Sequence, residues 1–239
     1  MDPLGSFEVD QVHGQSWQTV DNIGMEPVYY NAAEKGEIRG FKNIEKSHIN
    51  QLLTPNRNTV LHIYLTSLIK RSEESESKDS KSTEFVIEIL TKCPPLLWQA
   101  NVKGETPLHI AARYGHAPIV EVLIGCAKAL QEGLKNVVKE TLEKMNNEKD
   151  TALHEAVRNN HVDVVKRLIQ EGPKFSYSQN DAGETPLYMA MERGFKEVMV
   201  HILHKCKSPA HDGPLGRTTL HAAVIWNDTG NAYFLFSTF

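Results

Sequence analysis

The chain has 239 residues, 40% hydrophobic and 23% charged, with a formal net charge of −4. The composition is that of an ordinary soluble chain, and no stripe of Lys and Arg is present to neutralise phosphates, so nucleic acid is not expected as a partner. Three isolated cysteines, Cys93, Cys126 and Cys206, with no CxxC pair, argue against a disulfide framework and for a reducing, cytosolic setting.

Residues 1–25 have no hydrophobic period and read as a flexible leader. Acids stand where a signal peptide needs bases, and no run approaches the roughly eighteen apolar residues of a membrane span. A degenerate first unit follows at PVYYNAAEKGEI, where Ala32, Ala33 and Gly36 imitate Ala111, Ala112 and Gly115. From there one phrase recurs: NTVLHIYL from Asn58, GETPLHIAARYGH from Gly104, DTALHEAV from Asp150, ETPLYMAM from Glu184 and RTTLHAAV from Arg217. Counted from its threonine, the fourth position holds His62, His109, His154, Tyr188 and His221, at spacings of 47, 45, 34 and 33 residues. An active site occurs once per domain, whereas a structural unit repeats. A period of about 33 residues is that of a β-turn plus two helices.

The predicted fold is therefore all-α: a solenoid of helix-turn-helix units with protruding turns, about five and a half units over residues 26–227. Two inserts stretch the long spacings. KRSEESESKDSKSTE (70–84) has no large apolar residue and is predicted to be a solvated loop whose serines are candidate phosphorylation sites. The second insert, 126–145, spaces Leu130, Leu134, Val137, Val138 and Leu142 near helical intervals and predicts an extended or extra helix. Residues 228–239 read as an irregular tail.

The columns assign architectural roles. Thr59, Thr106, Thr151, Thr185 and Thr218 stand where a helix N-cap is needed, and Pro107 and Pro186 suit the first helical turn. Leu61, Leu108, Leu153, Leu187 and Leu220 face inward. Ala111, Ala156, Ala190 and Ala223 let neighbouring helices approach. Gly115, Asn160, Gly194 and Asn227 tolerate the left-handed cap conformation. Second helices carry an apolar stripe, as in Ile119-Val120 with Leu123-Ile124, that only a stacked neighbour can cover. His109, His154, His221 and Tyr188 are expected to be structural, each bonding to the threonine three residues earlier and to neighbouring backbone.

No catalytic constellation emerges. HEAVRNNH (154–161) lacks the second histidine of a zinc-protease helix, since residue 158 is Arg158. His201, His204 and Cys206 are the remaining candidates for a metal- or thiol-dependent enzyme, but alignment puts both histidines on outer-face positions. No Gly-rich phosphate loop is present, and no cofactor or metal is expected. What varies between units is a surface. Lys103, Glu105, Lys149 and Glu184 at the turns, with Ile110, Arg113, Tyr114, Glu155, Arg158, Met189, Glu192 and Arg193 on the first helices, would line one continuous concave face suited to a protein partner.

GETPLHIAARYGH followed by IVEVLI closely resembles the ankyrin consensus, over roughly residues 27–227. LLTPNRNTVLHI, the Ser/Glu-rich interruption, ILTKCPPLLWQANVKGETPLHIAARYGH and TTLHAAVIWND resemble a narrower group, the plant ankyrin-repeat membrane proteins of the accelerated-cell-death type. The resemblance implies cytosolic repeats at a plasma or internal membrane, a role in defence signalling and cell death, and protein partners that include full-length relatives. Against that group, this sequence lacks the second helix of its sixth unit and the membrane-spanning domain, so it reads as a truncated form with fraying expected from about Thr218.

Overall fold

The structure, a computed structural model, describes residues 24–71, 79–131, 136–172, 177–206 and 210–225. The expected leader falls almost wholly outside these residues and the expected tail entirely so. Twelve α-helices occur among the described residues: α1 Pro27–Lys35, α2 Lys46–Ile49, α3 Val60–Ser67, α4 Asp79–Lys92, α5 Pro107–Arg113, α6 Ala117–Gln131, α7 Val137–Glu143, α8 Ala152–Arg158, α9 Val162–Glu171, α10 Pro186–Glu192, α11 Lys196–Lys205 and α12 Thr219–Ile225. The only extended pairing among them is an isolated bridge between Asp212 and Thr218.

Each first helix begins where the repeat predicts. Thr59, Thr106, Thr151 and Thr185 hold extended backbone at φ −82°, −92°, −90° and −92° immediately before α3, α5, α8 and α10. The same column past the helix ends, Gly115, Asn160 and Gly194, turns left-handed at φ 73°, 56° and 69°. There the chain reverses into the second helix.

The helices stack in two layers. First helices pack in the order α1, α3, α5, α8, α10, α12, and second helices in the order α4, α6, α9, α11. Leu61, Leu108, Leu153 and Leu187 are all buried between units, and Ala111, Ala156 and Ala190 have no exposed surface. The second-helix stripes, Ile119-Val120-Leu123-Ile124 and its equivalents in α4, α9 and α11, are buried as well. Each such side chain contributes about 1.5–3 kcal/mol when covered, and its cover comes from the next unit.

The inserts differ in their outcome. Asp79–Glu84, expected in a loop, form the first turns of α4. Phe85, Val86, Ile89 and Leu90 anchor that helix in the core, and the Tyr64 hydroxyl donates to the Ser82 carbonyl at 3.2 Å. Composition registers missing burial, but an anchored helix propagates into polar sequence at little cost. In the second insert α6 runs on to Gln131, and α7 folds back with Val137, Thr141 and Leu142 buried. The Trp98 indole donates to Thr141 Oγ1 at 2.9 Å and fixes α7 to the start of unit three.

Candidate protein-interaction face

The recurring rings form a ladder through the stack. Thr59 N–H donates to His62 Nδ1 at 3.3 Å, and the Thr59 hydroxyl lies 2.8 Å from the same nitrogen. With Nδ1 accepting, the proton sits on Nε2, which lies 2.8 Å from the Glu105 carbonyl of the next unit; the tautomer follows from the network. His109 repeats this with Thr106 and with the Asp150 carbonyl, at 3.2 Å and 3.0 Å. His154 pairs with Thr151 at 3.1 Å and faces the Glu184 carbonyl, although no acceptor meets full hydrogen-bond geometry at its Nε2. Burial pushes the pKa of His62 and of His154 down to about 4, and that of His109 down as well. These rings are neutral struts rather than bases. His221 keeps its bond from Thr218 N–H at 3.1 Å, but in an exposed setting.

At Tyr188 the ladder changes form. The larger ring is buried and fills the space over Gly213, where an added Cβ would meet it at 2.2 Å. Thr185, freed of a histidine, donates its hydroxyl directly to the Asp212 carbonyl at 2.8 Å. A second ladder breaks at the same junction. Turn tips are joined by Val102 N–H to the Asn56 carbonyl, Asn147 N–H to Lys103 and Asp181 N–H to Glu148, each at 2.9 Å. The next residue in register is Pro214, which has no N–H to give.

The turns themselves rest on residues that sequence reasoning passed over. Asn101 Oδ1 accepts from Lys103 and Glu105 N–H, Asn146 Oδ1 from Glu148 and Asp150 N–H, and Asn180 Oδ1 from Glu184 N–H. The signal was available, because each asparagine lies five residues before its threonine.

Below this rim lies a charged relay across three units. The Arg113 guanidinium meets Glu155 through Nε and Nη2 at 2.9 and 2.7 Å and also reaches Glu105. Arg158 bonds to Asp150 at 2.7 Å and lies 3.2 Å from Glu155. Asn101 and Asn180 hold the free sides of Glu105 and Asp150, each at 2.8 Å. The Glu155 hydrogen bonds, ahead of the other influences, push the Arg113 pKa up, and burial is outweighed at Glu105, whose pKa is held down by Asn101 and Arg113. Such buried pairs fix geometry more dependably than they add stability.

The relay corrects four of the expected contact residues. Glu105, Ile110, Glu155 and Met189 are buried, at 4%, 5%, 2% and 0% exposure. Ile110, Glu155 and Met189 share one column that packs beneath the adjacent unit, and Glu105 is locked in the relay, so none can meet a partner without unfolding the stack. Lys103 and Lys149 are exposed, the latter 2.7 Å from Asp181. Arg113, Tyr114, Arg158, Glu184, Glu192 and Arg193 are half-buried along the first-helix face. Thr106, Thr151, Thr185 and the rings of His62, His109, His154 and Tyr188 are inside, whereas Thr218 is half-buried and His221 exposed. On the back layer His201 is half-buried, His204 is exposed, and burial pushes the Cys206 thiol up to about 11. Among the described residues no three metal-ligating side chains converge.

A family model for ankyrin repeats (3 copies) matches residues 79–179. Among solved structures, the ankyrin repeat domain of Bcl-3, a member of the IkappaB protein family, superposes with a TM-score of 0.64 over 83% of this chain and 79% of that one, at 18% identity. The architecture is thus an ankyrin-repeat solenoid. Protein ACCELERATED CELL DEATH 6 of Arabidopsis thaliana is 29% identical over 116 residues, 47% of this chain and 17% of its own length. ANK repeat-containing protein nipk-1 of Caenorhabditis elegans is 29% identical over 135 residues, 54% of this chain and 21% of its own. Alpha-latroinsectotoxin-Lt1a of Latrodectus tredecimguttatus is 42% identical over 72 residues, 30% of this chain and 4% of its own. The chain therefore spans about a fifth or less of the length of these relatives.

Proposed function

We propose that the chain is a non-enzymatic protein-binding module acting in plant defence and cell-death signalling. The observation that carries this reading is a division of labour. The recurring polar residues are consumed inside the stack, with Arg113 and Arg158 showing only their outer edges above the relay, while side chains that differ from unit to unit, Lys103, Tyr114, Lys149, Glu184, Glu192 and Arg193, remain accessible along one face. A rigid frame with a variable face is suited to recognising protein surfaces. The similarity to ACCELERATED CELL DEATH 6 supports the cell-death context. The module would act in the cytosol or on the cytosolic side of a membrane, with full-length relatives among its partners. No helix among the described residues is long and apolar enough to cross a membrane.

Proximity labelling in plant cells tests this, comparing the chain with a Tyr114→Ala, Arg193→Glu variant of unchanged melting temperature. A defined partner set that the variant loses supports the reading. Labelling identical in both, or indistinguishable from an unrelated soluble control, contradicts it.

A further inference from the structure

We propose that a second copy of this chain docks head-to-tail on the first, the outer face of α12 in one copy receiving the outer face of α1 in the next. The inference goes beyond the protein-binding reading. It draws on the ends of the stack and not on the accessible face, so either can fail without the other.

Each first helix has two inward faces, and contacts within the stack show which way each points. The third residue after the threonine reaches forward, as when His62 Nε2 lies 2.8 Å from the Glu105 carbonyl of the next unit. The fourth is reached from behind, as when Arg113 of unit three bonds to Glu155 of unit four. Residues three apart share a helix face, so the sixth residue belongs with the third and the first with the fourth. The helix α1 enters this register through Ala32, Ala33 and Gly36, with Pro27 in the threonine column. On the forward face the sixth column runs Leu65, Ala112, Val157 and Met191, all buried, until Val224 in α12, which is 66% exposed. His221 is exposed on the same face, although the rings of its column are buried in units two to five. On the rear face the first column is buried from Val60 to Thr219, whereas Val28 in α1 is 58% exposed. Asn31 is exposed there too, in a column that is buried from Ile63 to Ala222.

Unit six thus shows an uncovered forward face and unit one an uncovered rear face. They are the two halves of one contact that the stack repeats between its first helices, which meet in chain order. What covers a forward face inside the stack is the rear face of another first helix, so the occupant that continues this interface on α12 is α1 of another copy. Leu220 and Val224, with Arg217 and His221, line an open depression of about 360 Å³ there, and Val28 is the apolar side chain it would receive. A solenoid end that stays in water carries a polar outer face. Both ends here hold out a valine.

Sedimentation velocity of the full chain over a concentration series tests this. The average mass should rise with concentration and pass that of a dimer, because a head-to-tail contact leaves an open face at each outer end. Val28→Glu blocks one end and Val224→Glu the other, and melting temperatures should hold because both side chains are exposed; Val28→Lys and Val224→Lys form a second pair should a glutamate disturb its helix. Each variant alone should sediment as a monomer. An equimolar mixture should form a one-to-one complex, since one variant keeps a free α12 face and the other a free α1 face. A wild-type chain that stays monomeric at every concentration overturns the proposal, whether its ends are covered from within or bare. Association retained by Val28→Glu and lost by Val224→Glu would mean that α12 faces pair with each other. That result, association retained by Val224→Glu, or a mixture that stays monomeric contradicts the head-to-tail contact.

Discussion

His109 Nε2 lies 3.0 Å from the main-chain carbonyl of Asp150 in the next unit, while its Nδ1 accepts the amide of Thr106 in its own. One ring thus ties a helix start to the turn of its neighbour. Replacing it by alanine leaves the buried Thr106 amide without its partner, at about 1–3 kcal/mol. It also takes one of two donors from the Asp150 carbonyl, which keeps Asn146 N–H at 2.9 Å, and opens a cavity where the ring was packed. His109→Ala should therefore lose about 2–4 kcal/mol in urea unfolding. An unchanged midpoint and slope would remove the ring from the framework.

The same ladder sets a pH dependence. The folded-state pKa of His62 and of His154 is about 4, below the unfolded value of about 6.5. The unfolded chain binds more protons between these values, so stability rises with pH across that window. The contribution is present above pH 6.5 and is lost as pH falls toward 4, by roughly 3 kcal/mol for each ring. Glu105, with its pKa lowered, adds a further loss at lower pH, as its carboxylate is protonated. Denaturation midpoints at pH 7.5, 6 and 5 should fall in order, and midpoints that stay level contradict the assignment.

Glu155 occupies the column of Ile110 and Met189, but as an ion it is bound by Arg113 and Arg158. Arg113→Met leaves Glu155 with Arg158 alone and Glu105 with Asn101, and should cost about 2–4 kcal/mol. Glu155→Leu together with Arg113→Met should cost clearly less than the two single changes added, with a coupling of about 1–3 kcal/mol. Additive losses in the double-mutant cycle would show that the relay is not energetically connected.

Gly213 and Tyr188 are fitted to each other at 2.2 Å from the position of a Cβ. Gly213→Ala should destabilise by about 1–3 kcal/mol through overpacking. Adding Tyr188→His, with its smaller ring, should recover part of that loss, and no recovery would mean that the clash is not with this ring.

The frame was legible because it repeats: caps, ring column, apolar stripes and left-handed helix ends all lie at fixed offsets from each threonine. What was not legible depends on pairings between units. Glu155 reads as a surface residue until Arg113, 42 residues earlier, reaches it. Asn101, Asn146 and Asn180 were in register but look like generic turn residues until the backbone amides that donate to them are seen. The start of α4 at Asp79 was hidden because a polar helical turn and a polar loop have the same composition.

Side-chain nitrogen NMR of the histidines, followed from pH 8 to pH 5, addresses the structural role of the rings most directly. His62, His109 and His154 should stay neutral throughout, protonated on Nε2. If those three instead titrate near 6.5 as free imidazoles do, the rings are not the rungs that hold the repeats together, and the account of the fold and of its accessible face fails with them.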